Sequence, residues 1–339
     1  MIDFRYHLVS IVAVFLALAI GLVLGSTELQ GNTLDVLKTA NNNLSSQLND
    51  TRAQRDTALQ QANAGQAFAQ ANETVLLKNL LAGQRVVLIT DDGADNGTVS
   101  AITSAAKDAG ATITGTIALQ SSFNSTSTTT ESTLNSVTGD LAQADTVTLG
   151  QTSVWQQAAQ LIASATVAKA TAPTVALTLL ESQEVLKSYQ QNGFISLTGA
   201  PANGATLAII VTPATVPADG ASDQASQNLV GVAQEFADQS TATVVAGNSA
   251  GDGSGSAMSV LRSSAVAAKV STIDDADTTI GQITTIQALA TQAQGGKAAA
   301  YGVETGATSS GPSPAPTPSA SVSSSPSTSS STNKTKAKK

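Results

Sequence analysis

Residues 8 to 25, from Leu8 to Gly25, form an eighteen-residue run with no charged side chain. At 1.5 Å of rise per residue this is a helix of about 27 Å, close to the hydrocarbon thickness of a bilayer. No other stretch of the chain is as long and as apolar. A single helix satisfies its own backbone in lipid, but it has no wall with which to enclose a water-filled path. The run exceeds the usual signal-peptide core of about 7–15 residues, and helical sequence follows it rather than a clipped start. We therefore read it as a permanent anchor. Arg5 precedes the run and the next cation is Lys38. This bias predicts a cytoplasmic N-terminus over residues 1–7 and an extracytoplasmic remainder.

The rest of the chain is acidic and poor in reactive groups. Of 339 residues none is cysteine, which excludes disulfides, thiolate metal ligands and a cysteine nucleophile. Aromatics are 3% and charged residues 12%, so any core must be built from Ala, Val, Leu and Ile. The net charge is −8, and four lysines (Lys334, Lys336, Lys338, Lys339) stand in the last six residues. Without them 12 Lys and Arg face 24 Asp and Glu, a balance of −12. Such a body repels nucleic acid, and no basic patch is interleaved with aromatics.

Residues 27–79 contain no proline and read as one long polar helix. Leu34 and Leu37, then Asn41 and Leu44, then Leu48 fall on heptad a and d positions, and later heptads weaken. The pattern predicts a membrane-proximal coiled coil and a parallel homo-oligomer through residues 27–60, with Asn41 fixing register. A solvated spacer helix suits the same composition.

The globular part is expected over residues 84–306. Gln84 to Thr90 is a β-branched run, Thr98 to Ala109 has helical spacing closed by Gly110, and Ala111 to Leu119 returns as a strand. This strand–helix–strand order predicts an α/β domain with a mostly parallel sheet. Further apolar runs lie at 173–180, 205–211 and 241–247. Helices are expected at 154–169, 181–191, 222–239 and 278–293, and residues 121–133 read as a loop. Residues 307–339 are rich in Ser, Thr and Pro, with a lysine tip, and predict a disordered tail.

Two acidic turns are the candidate chemistry. Asp91, Asp92 and Asp95 follow the first strand, where open α/β sheets bind ligands, and three carboxylates there suit a hard cation or acid–base work. The competing role is helix capping by Asp95 or Asn96. The spacing is not an EF-hand, because position 102 is Ile. Asp274, Asp275 and Asp277 precede the last helix, and Asp277 is a plausible cap. The Gly247–Gly255 loop lacks both the dinucleotide fingerprint and the phosphate-loop lysine, leaving Ser254 or Ser256 as a cap. Ser104 and Lys107 match an acylating SxxK spacing, but no Lys-Thr-Gly strand accompanies them. His7 is the only histidine, so no Ser-His-Asp triad forms in the outer domain, and no enzyme activity is predicted.

The block Phe4 to Ser10, the segments Val14 to Ala19 and Gly21 to Ser26, and then Gly110 to Leu119 resemble the actinobacterial copper transporter family. Asn192 to Ile195, Ser271 to Asp275, Gly281 to Ile283 and Ala300 to Gly302 follow in the order of that family's later blocks, so the resemblance covers residues 1–306. It implies a role in copper efflux or homeostasis in the cell envelope, with copper as the transported ion and an outer-membrane channel as the family's described form. It carries over no metal-binding residue. Copper(I) prefers sulfur and imidazole ligands, which here are only Met1, Met258 and His7. No cofactor is evident. The alternative is a structural or adaptor protein, anchored by one helix and oligomerising through a coiled coil, that organises envelope partners without moving metal itself.

Overall fold

The computed structural model describes residues 4–150, 153–168, 177–202, 204–213, 222–248 and 256–313. The chain divides into two compact units, Met1–Phe68 and Ala69–Lys339. The first is built on helix α1, which runs without interruption over Phe4–Leu77, so the anchor and the polar helix expected after it are one element. Within it Arg5–Gly25 has a mean hydropathy of 2.9 and is solvent-exposed throughout, long and apolar enough to cross a membrane. Leu37, Leu44, Leu48 and Leu59 are also exposed.

The second unit is a three-layer α/β domain. Its elements are β1 (Arg85–Thr90), α2 (Asn96–Asp108), β2 (Thr112–Leu119), α3 (Thr128–Ala144), α4 (Val154–Thr166), α5 (Leu179–Gln191), β3 (Ile195–Gly199) and β4 (Leu207–Val211). Then come α6 (Ser222–Gln239), β5 (Ala242–Ala246), α7 (Ala257–Ser263), a 3₁₀ turn (Ala265–Ala268), β6 (Ser271–Ile273), α8 (Thr279–Ala293) and β7 (Ala300–Tyr301). The sheet order is β3-β2-β1-β4-β5-β6-β7. Every pairing is parallel except β2 with β3, which is antiparallel at one edge.

The near-continuous apolar strands follow from this position. A strand covered on both faces must be apolar at every residue. Val87, Ile89, Ile117, Ile210 and Val245 face one layer, made by α3, α4, α5, α6 and α7. Val86, Leu88, Ile209, Val244 and Ile273 face the other, made by α2, α8 and the end of α1. Ala69 and Leu77 of α1 are buried in that second core. Full burial of a side chain such as Leu88 or Leu77 stabilises by about 1.5–3 kcal/mol.

Gly110 ends α2 as its sequence position predicts. Its φ of +88° is left-handed, and the Gly110 and Ala111 amides donate back to the carbonyls of Lys107 and Ala106 at 2.9 and 3.0 Å. Residues 121–133 are only partly a loop, since α3 begins at Thr128. Its buried face is Leu134, Thr138 and Ala142, and the Thr138 hydroxyl pairs with Tyr189 at 2.9 Å. Of the run expected at 173–180, residues 173–176 lie outside the described residues, and Leu179 and Leu180 open α5 instead. Past 306, the Thr308 amide donates to Ala300 O at 2.8 Å and the Gly302 amide to Ser309 O at 3.1 Å. The rest of the expected tail, from residue 314, lies outside the described residues.

Candidate functional site

The strand order reverses at β1, which pairs with β2 on one side and β4 on the other. Crevices at such switch points are where α/β sheets hold ligands. A cleft of about 370 Å³ opens beside this point. Its lining comes from the end of β1 and the turn after it (Asp91, Asp92), from α2 (Asn96, Val99), from β2 (Thr116, Ala118) and the residue after it (Gln120), and from β3 (Thr198). Edge strand β3 builds one wall because Thr198 pairs directly with Thr116.

The three carboxylates of the first acidic turn do three different things. Asp95 is the N-cap of α2 and accepts from the Thr98 amide at 2.7 Å. That bond holds its carboxyl below the usual range. The Thr98 hydroxyl lies 3.0 Å from Asp95 Oδ2 and 3.2 Å from Asn248 Oδ1, so its one proton serves two acceptors and ties the turn to the end of β5. Asp92 is exposed and lines the cleft. Asp91 is buried, only 5% exposed. Its Oδ1 accepts from the Asp92 amide and from Asn124 Nδ2, both at 2.9 Å. No donor reaches Oδ2 and no cation pairs with Asp91 among the described residues. Burial pushes its carboxyl up to about 6, against the two hydrogen bonds that lower it.

A polar relay leads away from Asp91. Asn228 Nδ2 donates to Asn124 Oδ1 at 3.3 Å, and Gln224 Nε2 donates to Asn228 Oδ1 at 2.9 Å. The relay joins the loop after β2 to α6. Sequence reasoning missed Asn124, Asn228, Gln120, Thr116 and Thr198. Asn124 and Asn228 stand 104 positions apart, and neither belongs to a motif.

The second acidic turn is organised differently. Asp274 is fully buried and pairs with Arg262 at 2.9 Å. It also accepts from the Val303 and Glu304 amides at 2.7 and 3.2 Å. Arg262 donates further to Thr272 Oγ1 and to the Tyr301 carbonyl, at 3.0 and 2.9 Å. Gly302, at φ +128°, lets the backbone wrap this carboxylate, because a Cβ there would collide with it. Asp275 is buried beside it with Oδ1 unpartnered, and its carboxyl is raised by burial and then by the Asp274 charge. Asp277 is exposed, and the cap of α8 is its neighbour Thr278, whose hydroxyl accepts from the Gly281 amide at 3.0 Å. Threonine wins that position because its oxygen reaches the third amide of the helix with the chain already extended.

Among the described residues no three His, Cys, Asp or Glu side chains converge as metal ligands. Met258 is 1% exposed inside the hydrophobic core, His7 lies within the apolar span, and Met1 lies outside the described residues. Ser256 caps α7, and Ser254 with the rest of 249–255 lies outside the described residues. Ser104 donates to the Ser100 carbonyl of its own helix.

The family model described as "Copper transport outer membrane protein, MctB" matches residues 1–312. A protein named copper transporter MctB from Mycobacterium tuberculosis is 29% identical over 314 residues, covering 91% of this chain and 98% of the relative. Its namesake from Mycobacterium bovis has the same identity and coverage. The one from Mycobacterium leprae is 30% identical over 317 residues, again covering 91% and 98%.

Proposed function

The chain belongs to the family described as copper transport outer membrane protein, MctB, and from that membership we propose that it serves copper transport or homeostasis as an envelope protein held by α1. The supporting observation is the extent of the match. It begins with the apolar span and ends where the paired chain after β7 ends, so anchor and domain are shared together. In this reading Arg5–Gly25 is the permanent tether, Arg5 marks the inner side, and the α/β domain stands outside the cytoplasmic bilayer.

Copper is cargo here and not a resident cofactor. One helix encloses no path. If the protein conducts, the path is made by several copies, joined through residues 27–60, where Leu37, Leu44 and Leu48 are exposed along α1. The weak carboxylate candidates Asp91, Asp92, Asp95, Asp274, Asp275 and Asp277 are hard oxygen ligands, a poor match to copper(I). With Met258 in the core, direct capture of copper(I) by the domain has little to work with. That scarcity favours a second reading, in which the protein organises envelope partners that themselves handle the metal.

Deletion and complementation separate the two. Copper transport predicts hypersensitivity to copper with raised cell-associated copper, both restored by the full-length gene. Altered shape or division with normal copper would replace transport by the adaptor role. Recovery of the mature protein beginning at Ser26 would remove the tether from either reading.

A further inference from the structure

We propose that the cleft at the carboxyl ends of β1 and β2 binds a small aliphatic amine, with an ammonium group seated on Asp91. A buried carboxylate without a cation is costly, and folded chains normally pair it or leave it in water. Among the described residues Asp91 has no cation, and its Oδ2 is left to the cleft alone. Both of its donors, Asn124 and the Asp92 amide, act on Oδ1, and the side chain lines an open cleft. The position lacks a positive group with N–H donors.

The rest of the lining narrows the ligand. Among the described residues no Lys, Arg or His borders the cleft, while Asp92 adds a second carboxylate, so an anion is repelled. The N-terminus of α2, which would attract an anion, is already occupied by Asp95. Gln120 uses its Nε2 on the Ala118 carbonyl at 3.2 Å, which leaves Oε1 as an acceptor. Thr116 and Thr198 add hydroxyls. Val99 and Ala118 form a short apolar strip for a methylene chain. Among the described residues no aromatic ring lines the cleft, which removes the usual stacking surface for a sugar. A hard divalent ion is disfavoured because Asp95 is committed to its cap and no third acid converges among the described residues. The volume of about 370 Å³ falls in the range of small-ligand sites. Asp92, next to Asp91 in the same turn, would meet a second ammonium group, so a short diamine is the preferred member of the class.

The test uses the full-length protein in detergent micelles at pH 7.5 and low salt, titrated with 1,4-diaminobutane in a calorimeter. We expect saturable binding at one site per chain. Asp91→Asn should weaken it by at least about tenfold, the size of one charge-assisted contact. Ala118→Leu, which fills the cleft while leaving the Asp91 hydrogen bonds intact, should abolish it. Glu235→Gln, an acid outside the cleft lining, should leave it unchanged. No saturable binding at millimolar diamine would overturn the proposal. So would equal losses in Asp91→Asn and Glu235→Gln, which would mean bulk acidity, or full binding by Ala118→Leu. Magnesium chloride is the rival titrant, and Asp91-dependent binding of Mg²⁺ that the diamine fails to displace would also overturn it. The readouts are independent of copper, so the copper reading stands or falls separately.

Discussion

Two buried carboxylates sit at the carboxyl ends of strands in the same sheet, Asp91 after β1 and Asp274 after β6. They have opposite surroundings. Asp274 has a guanidinium at 2.9 Å and two backbone amides, and its neighbour Gly302 gives up a side chain to make room. Among the described residues Asp91 has one amide, one carboxamide and no cation. The burial is nearly the same, so burial alone does not distinguish a structural acid from an available one. The count of partners does. A carboxylate with both oxygens answered holds the fold together. A carboxylate answered on one oxygen at the edge of a cleft weakens the fold and remains open to a ligand.

The largest expected effect tests the Asp274 side of this contrast. Asp274→Ala strands Arg262 and the Val303 and Glu304 amides in the interior. Breaking a buried pair in this way costs about 3–5 kcal/mol, and denaturant unfolding of the full-length protein should show a loss of that order. Gly302→Ala should be comparably harmful, because its Cβ would displace the carboxylate and its φ of +128° disfavours any side chain. A loss below about 1 kcal/mol in both would mean that the knot around Asp274 is dispensable, contrary to its geometry.

The next effect has the opposite sign. Asp91 has its carboxyl pushed up to about 6, so the folded protein holds a proton that the unfolded chain releases near 4. Stability from this group is therefore full below about pH 4, declines as pH rises from 4 to 6, and is absent above. Asp91→Asn removes the unpaired charge and should stabilise the amine-free protein by about 1–3 kcal/mol at pH 7. At pH 4 the gain should vanish. Unfolding curves of the variant and parent at the two values check both points. A variant less stable at pH 7 would show that the ionised carboxylate is compensated after all.

Much of this domain is legible in the sequence, for a physical reason. Strands β1, β4 and β5 are covered on both faces, so apolarity is required at every position and the runs stand out. Helix α3 hides because its inward face includes Thr138, which is admitted to the core only by the hydroxyl of Tyr189, 51 residues away. Strand β7 is two residues long and offers no pattern to read. The acidic turns are visible as composition, but the division of labour inside them is not. Whether Asp91 or Asp95 meets a cation, a cap or a cleft depends on Asn124, Asn248 and Thr198, which arrive from distant parts of the chain.

The smallest expected effect lies inside the first turn and makes the contrast sharper there. Asp95 stands four residues from Asp91, yet it is exposed and its carboxyl is held below the usual range by the Thr98 amide. A lowered carboxyl stabilises the fold above the unfolded value and loses that contribution as pH falls through the folded one, the reverse of Asp91. Asp95→Ala should therefore destabilise at pH 7 by less than either change at the Asp274 knot, and its effect should fade toward pH 3. Binding of 1,4-diaminobutane should be unaffected, since Asp95 does not border the cleft. Two acids of one turn would then respond to acid in opposite directions. Only the paired, capping one would be missed by the fold at neutral pH, while the unpaired one would be missed by the ligand.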